Sequence, residues 1–410
     1  MDFELSPEHQ KIQEICRRLA PDFATRAAQH DREASAPVEN YTLLRQEGLY
    51  GLTVPKEYGG WGGGYLGYVV AMDELAQGCP ATALSFNMHC VVLPTLFEEP
   101  AVSAATRQRL ADLAVRGQKL FAYSVSETGA SSLLAGATFQ SSTQARRVAG
   151  GWVLRGRKSF QSMIESCDYV IMMVHPEDNP DPLAGIVLLI PYPSKGLRVE
   201  DVWDTLGMRG TRSNDVILED CFVPEESLVF ATENVAAFYE RAAHWGIGYL
   251  AVYLGVGAAA YRIACETLNQ RVPRGFAQAM SYHPDLRRRV AEMSVDLEAA
   301  RLLTRYAAWR TDREGTTPAS VAALLRAKYF VGEAVNRIGR SALNACGAHA
   351  LFKSSPLERL LRDGTSASIM PPSGDACLFG IGVLELGLNT KEMLPPLKAA
   401  ARAGGVGPGP

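Results

Sequence analysis

Residues 206–224 read LGMRGTRSNDVILEDCFVP. Within this stretch, 216–223 is rich in β-branched and aromatic residues and is bounded by Asn214-Asp215 and Pro224, which predicts a short strand between turns. Runs of the same kind recur upstream at 152–154, 169–174 and 185–190, divided by Gly, Pro, Asn and Asp. Together they predict a middle β lobe over residues 119–230, built as a small antiparallel barrel or sandwich.

On either side of that lobe the hydrophobic period becomes helical. Ser6-Pro7-Glu8 reads as an N-cap followed by proline at the first helical position, and residues 1–118 form a helical lobe interrupted by the GGWGGG loop at 59–64. Downstream, Leu286, Val290, Met293, Leu297 and Ala300 recur at three- and four-residue steps, which places them on one buried helix face. Residues 231–389 therefore read as long helices with short connections, the pattern of a bundle. The tail 390–410, ending GGVGPGP, has little to bury.

Composition narrows the function classes. The chain has 410 residues, 47% of them hydrophobic, enough for two or three lobes with a sizeable core. Its 41 basic and 44 acidic residues give a net charge of -3, which offers no global attraction to nucleic acid or an anionic membrane. The run Arg287-Arg288-Arg289 reads as a solvated helix face. Eight cysteines lie scattered with no CxxC pair, so no zinc site is expected, and reduced thiols in a cytoplasmic protein are. No stretch approaches the ~18 uninterrupted apolar residues of a membrane span, and MDFELSPEHQ has no signal-like apolar core.

Five stretches then take on a joint meaning: LYGLTVPKEYGG (49–60), YSVSETGASS (123–132), GRKSFQS (156–162), the opening stretch 206–224, and PLERLLRD (356–363). In residues and in order they resemble the acyl-CoA dehydrogenase superfamily over almost the whole chain. The resemblance implies a mainly α protein with a central β domain: an N-terminal helical domain, a middle β-barrel and a C-terminal four-helix bundle. It also implies FAD lying across a subunit interface of a homodimer or homotetramer, and an acyl thioester as substrate. The electron acceptor is not specified.

The same resemblance assigns residues. The backbone around Val125 and Ser126, with Tyr123 and Ser132 in the same stretch, meets the isoalloxazine ring, and the Ser126 hydroxyl can donate to a flavin carbonyl or ring nitrogen. Phe160 stands where the family has a tryptophan against one flavin face, and Ser162 where a threonine lies beside the reactive nitrogen. Alone, YSVSETGASS would read as a polar turn and Phe160 as core; the motif context reverses both. In the bundle, the family's arginine before a Phe-Gly pair falls on Pro273 of RVPRGFA. That leaves Arg271 or Arg274 for the pyrophosphate, with Phe276 at the motif's phenylalanine. Asn344 and Gly347 stand at the adenine half, and Ser373 with Asp375 fall in a further cofactor-binding stretch.

One family feature is missing. Dehydrogenases of this kind take a proton α to the thioester carbonyl with a glutamate while hydride leaves the β carbon for the flavin. Counting from Arg362-Asp363, that glutamate's place is held by Pro371, which can accept no proton. The alternative position, on an early bundle helix, falls at Ile247. Four residues could substitute. Glu240 lies about two helical turns earlier, roughly 10 Å away, too far to substitute without a register shift; Asp375 follows Pro371 by four residues; His244 precedes Ile247 by one turn; and His89 lies in the first lobe. For each, a satisfied or exposed residue is the competing reading. Gly248 aligns with an arginine that holds the carrier in CoA-using relatives, so of the two carriers the resemblance leaves open, free acyl-CoA and an acyl carrier protein, the acyl carrier protein is the expected one.

Three functions remain open: an FAD-dependent dehydrogenase of an acyl thioester; a flavin monooxygenase working through a C4a-hydroperoxide, fed by a flavin reductase and needing no α-proton abstraction; and a non-catalytic assembly protein.

Overall fold

The computed structural model describes residues 4–127 and 141–388. Ser132 and the tail from 389 onward lie outside the described residues.

The first lobe contains α1 (Pro7–Glu33), α2 (Val38–Gln46), α3 (Gly64–Gly78), α4 (Pro80–Glu98) and α5 (Ala104–Ala111). Ser6 caps α1 by accepting from the His9 amide at 3.3 Å, with Pro7 at the first turn. Ile12, Cys16, Leu19, Phe23 and Ala27 of α1 are buried at helical spacing, and α1 packs along α3. The bundle follows the β lobe with α6 (Val235–Arg241), α7 (Ile247–Gln270), α8 (Pro284–Glu314), α9 (Pro318–Cys346), α10 (Pro356–Thr365) and α11 (Gly374–Glu385). A capping box of Thr317 and Ser320 starts α9, again with proline at its first turn.

One hydrophobic core runs from α1, α3 and α4 into α7, α8 and α9. At its centre α7 is buried from Ile247 to Ala260, and the helical stretch His244–Gln270 is long and apolar enough to cross a membrane by length and composition. Most of its apolar window (83%) is buried inside the protein, the position of a core helix. The expectation that no stretch comes near span length is corrected on this point. The apolar run answers to protein neighbours, and the exposed Arg262 and Glu266 appear only past Ala260.

The middle lobe is an eight-stranded sheet system: β1 (Phe121–Ser124), β2 (Gln144–Val148), β3 (Gly151–Gln161), β4 (Tyr169–Pro176), β5 (Gly185–Pro191), β6 (Leu197–Glu200), β7 (Asn214–Pro224) and β8 (Leu228–Thr232). The strand order is β6-β7-β3-β2-β4-β5-β8, with β1 also on β4. Pairing is antiparallel except that β1 and β2 each run parallel to β4. β2 reaches β4 across β3, and β1 across both β2 and β3, so neither joins β4 by a hairpin, which is why the expectation of purely antiparallel pairing fails there. Alternation along β4 and β5 explains their unbroken apolar runs. Val170, Met172, Val174, Ile186 and Leu188 face the interior of the β lobe, whereas Ile171, Met173, Val187 and Leu189 face a second core shared with α4, α5 and α6.

Candidate active site

The site is built around an irregularity in β3. Its pairing with β7 shifts register twice, between Leu154 and Gly156 and again between Lys158 and Gln161. At the second shift Phe160 has φ 61°, a left-handed conformation uncommon for a bulky side chain and frequent at functional sites. The bulge turns the ring outward: Phe160 is 65% exposed and meets Trp203 edge-on, ring centroids 6.1 Å apart. Next to it, the Ser159 amide donates to the Ser126 carbonyl at 2.9 Å, which joins the chain after β1 to the bulge. The chain carrying Val125 and exposed Ser126 thereby lies against the bulge that carries Phe160. The Ser162 hydroxyl lies 2.8 Å from Ser213 Oγ, itself 2.8 Å from Thr211 Oγ1.

A buried ion pair holds the cradle in shape. The Lys158 side chain is 1% exposed; its ammonium donates to Glu127 and, at 3.1 Å, to Ser141 Oγ. Glu127 also accepts from the Ser142 amide and hydroxyl, each at 2.6 Å. Burial alone would raise the Glu127 carboxyl, but the Lys158 charge and these hydrogen bonds outweigh it and bring it down to about 2. Burial draws Lys158 below its ordinary value against the pull of Glu127; the donor set is that of an ion pair.

The second group lies at the ends of bundle helices. Arg271 Nη1 donates to the Cys346 carbonyl at 3.1 Å, beside Gly347, where the backbone has φ 77°. Arg274 and Asn344 are exposed, and Phe276 is 71% exposed. A groove of about 640 Å³ between α8 and α9 is lined by Asn344 together with Arg288, Arg289, Arg337 and Arg340. Ser373 spends its hydroxyl on capping α11, accepting from the Ala376 amide at 3.3 Å, and Asp375 is exposed in the first turn of that helix. Tyr123 has its side chain hydrogen-bonded to Tyr239, and burial pushes its hydroxyl up to about 12.

Two of the four substitutes for the missing base fall away on geometry, and a third is not placed at the site. In His89, Nδ1 accepts the Phe121 amide at 3.1 Å, so Nε2 carries the proton it donates to the Tyr50 carbonyl at 2.8 Å. With both nitrogens spent and burial lowering its pKa to about 4, His89 is a neutral brace between the first lobe and β1, not a base. Glu240 is exposed on α6, facing water. Asp375, likewise exposed, serves the helix start. His244 differs: it is buried, and its Nε2 has no hydrogen-bond partner.

The structure also brings the two family base positions together. A Cβ built on Gly246 would lie 3.0 Å from Pro372, so the loop carrying Pro371 packs on the turn just before Ile247. Neither position carries a carboxylate. At Gly248 a Cβ would fall 1.7 Å from Asn87 Oδ1 and 2.0 Å from the Tyr68 hydroxyl. Those two buried side chains are hydrogen-bonded to each other and fill the place where an arginine would start. Asn87 and Tyr68 had no signature in the sequence, because they come from α4 and α3, far in sequence from α7.

Comparison with known proteins agrees with this architecture. Residues 6–110, 122–221 and 239–371 match the N-terminal, middle and C-terminal domains of acyl-CoA dehydrogenase in turn. The putative acyl-CoA dehydrogenase YdbM of Bacillus subtilis is 28% identical over 365 residues, covering 88% of this chain and 93% of that protein. Among solved structures, butyryl-CoA dehydrogenase from Megasphaera elsdenii superposes with a TM-score of 0.84 at 22% identity, over 94% of this chain and 100% of that one. KijD3, solved with FMN and a dTDP-linked amino-keto sugar, gives a TM-score of 0.82 at 24% identity, over 94% and 95% of the two chains. The chain belongs to the acyl-CoA dehydrogenase superfamily. It is an FAD-dependent oxidoreductase of that family, and an outward aromatic ring beside an open stretch of backbone and a serine hydroxyl suits a flat isoalloxazine ring.

Proposed function

We propose that the protein oxidises an acyl thioester presented on the phosphopantetheine arm of an acyl carrier protein. FAD, when bound, supplies the hydride acceptor. Val125 and Ser126 would offer backbone and hydroxyl to the ring edge, Phe160 would cover one face, and Ser162, hydrogen-bonded to Ser213, would set a hydroxyl beside it. Arg271, at the bundle end, would meet the pyrophosphate and Asn344 the adenine half, both from a second subunit. The observation that carries the carrier-protein reading is the filled space at Gly248: Asn87 and Tyr68 occupy it, so no arginine can reach a CoA nucleotide from that position. A pantetheine arm without adenosine loses nothing by this.

The test is anaerobic mixing of FAD-loaded protein with matched CoA and carrier-protein thioesters while the flavin spectrum is followed. Bleaching by the carrier-protein thioesters, and weak or no response to the CoA esters, is expected. Equal bleaching by both would refute the carrier preference. The second reading, a flavin monooxygenase, is favoured by the contact of Gly246 with Pro372, which joins two base positions that both lack a carboxylate. Rapid oxygen consumption with a flavin reductase, and no bleaching by any thioester, would select it.

A further inference from the structure

We propose that His244 is the proton acceptor that replaces the absent glutamate, with Glu98 and Thr316 positioning its ring and passing the proton to water. This rests on the reading of the protein as a thioester dehydrogenase. His244 sits in the 3-10 turn Ala243–Gly246 that leads into α7, two residues before the glycine that packs on Pro372. It therefore borders the loop where the family's carboxylate would stand.

The two ends of its ring meet different surroundings. Nδ1 lies 3.2 Å from Thr316 Oγ1 and 3.7 Å from a Glu98 carboxylate oxygen. The ring packs on Tyr65, centroids 4.7 Å apart. Tyr65 in turn donates its hydroxyl to the other Glu98 oxygen at 2.8 Å, while the Tyr65 and Leu66 amides donate to Asp312 at 2.6 and 2.9 Å. The imidazole is thus fixed by residues from α3, α4, α8 and the loop before α9. Its Nε2 is buried with no partner, and a buried polar atom left unpaired in an otherwise well-bonded cluster marks a place for a ligand atom.

Protonation follows the same polarity. Burial lowers His244 to about 4, so at neutral pH the ring is uncharged and, with Nδ1–H turned to Thr316 and Glu98, Nε2 holds a free lone pair. Glu98 is 49% exposed at its side chain, and burial of its inner part raises its carboxyl, which suits it to take up a proton and release it to solvent. The step balances as follows. The substrate's α C–H bond breaks and its proton passes to Nε2; hydride leaves the β carbon for the bound flavin, the two-electron oxidant; a carbon–carbon double bond forms; and the Nδ1 proton leaves through Glu98.

The inference is tested by α-proton exchange. The holoenzyme is first reduced with dithionite, so hydride transfer cannot occur. A saturated carrier-protein thioester is then incubated with it in deuterium oxide, and label at the α carbon is measured by mass spectrometry. The wild type is expected to exchange, and His244→Gln to do so about a hundredfold more slowly, the lower range of a general base's contribution. Glu98→Gln, which keeps the imidazole, should slow exchange about tenfold and keeps the test decisive if His244→Gln does not fold. Unchanged exchange in either folded variant overturns the inference. Bleaching of the oxidised wild type without any exchange of the reduced form overturns it too, while leaving the dehydrogenase reading intact. A wild type that neither bleaches nor exchanges removes both.

Discussion

Replacing Lys158 by methionine keeps a long unbranched side chain in a site that is 1% exposed and removes only the charge. Glu127 then keeps its bonds from Ser141, from the Ser142 amide and hydroxyl and, at 3.3 Å, from the Thr143 amide, but loses its cation. Two escapes are open to it. Remaining ionised, it is an uncompensated buried charge, which costs about 3–5 kcal/mol. Protonating at pH 7 from an ordinary value near 4.3 costs about 4 kcal/mol, so neutralisation brings no relief. The loss should therefore be about 3–5 kcal/mol, read as a shift of the urea unfolding curve of the flavin-free protein. The effect should reach the cofactor, because Glu127 and Lys158 tie the segment holding Val125 and Ser126 to the bulge holding Phe160. FAD affinity, measured by fluorescence titration, should fall at least about tenfold, some 1.4 kcal/mol. Adding Glu127→Leu should restore most of the stability, since a pair removed together leaves no orphan. A Lys158→Met protein within about 1 kcal/mol of wild type, with unchanged FAD affinity, would refute the reasoning.

Two further outcomes can be measured. Gly248→Arg should not confer CoA binding, because its first side-chain atom must displace both Asn87 and Tyr68; calorimetric titration with CoA should stay flat, and overpacking should destabilise the fold by about 1–3 kcal/mol. Acid should weaken the protein early: His89 and His244, each lowered from 6.5 to about 4 by burial, bind protons more readily unfolded than folded. Their contribution is present above the unfolded value and is lost as pH falls from about 6.5 towards 4, at most about 3 kcal/mol per histidine. Melting temperatures across that range should fall less steeply for His89→Gln than for wild type.

Much of the fold was legible because its signals are local. Ser6-Pro7 marked the start of α1, and the apolar step from Leu286 to Ala300 marked a buried stripe on α8, of which Met293, Leu297 and Ala300 are buried. The unbroken runs of β4 and β5 gave strands, though not their neighbours: parallel pairing with β1 and β2 depends on where the chain returns. Site residues divided the same way. The Ser126 segment and the Phe160 bulge are joined by the Ser159–Ser126 backbone hydrogen bond, which neither motif shows alone. His89 misled because a histidine near a cofactor motif looks the same whether its nitrogens are free or bonded to backbone. Glu98, Thr316, Asn87 and Tyr68 gave no signal, since each matters only through what a residue of α7 or the turn before it meets across the core.

Equilibrium titration of flavin-free protein with FAD, for the wild type and Phe160→Ala, probes the cradle on β3 most directly. Saturable binding of one FAD per chain is expected, weakened about tenfold when the ring is removed, as the loss of one aromatic contact of about 1.4 kcal/mol would give. No binding, or an affinity indifferent to Phe160, would contradict a flavin seated against the bulge.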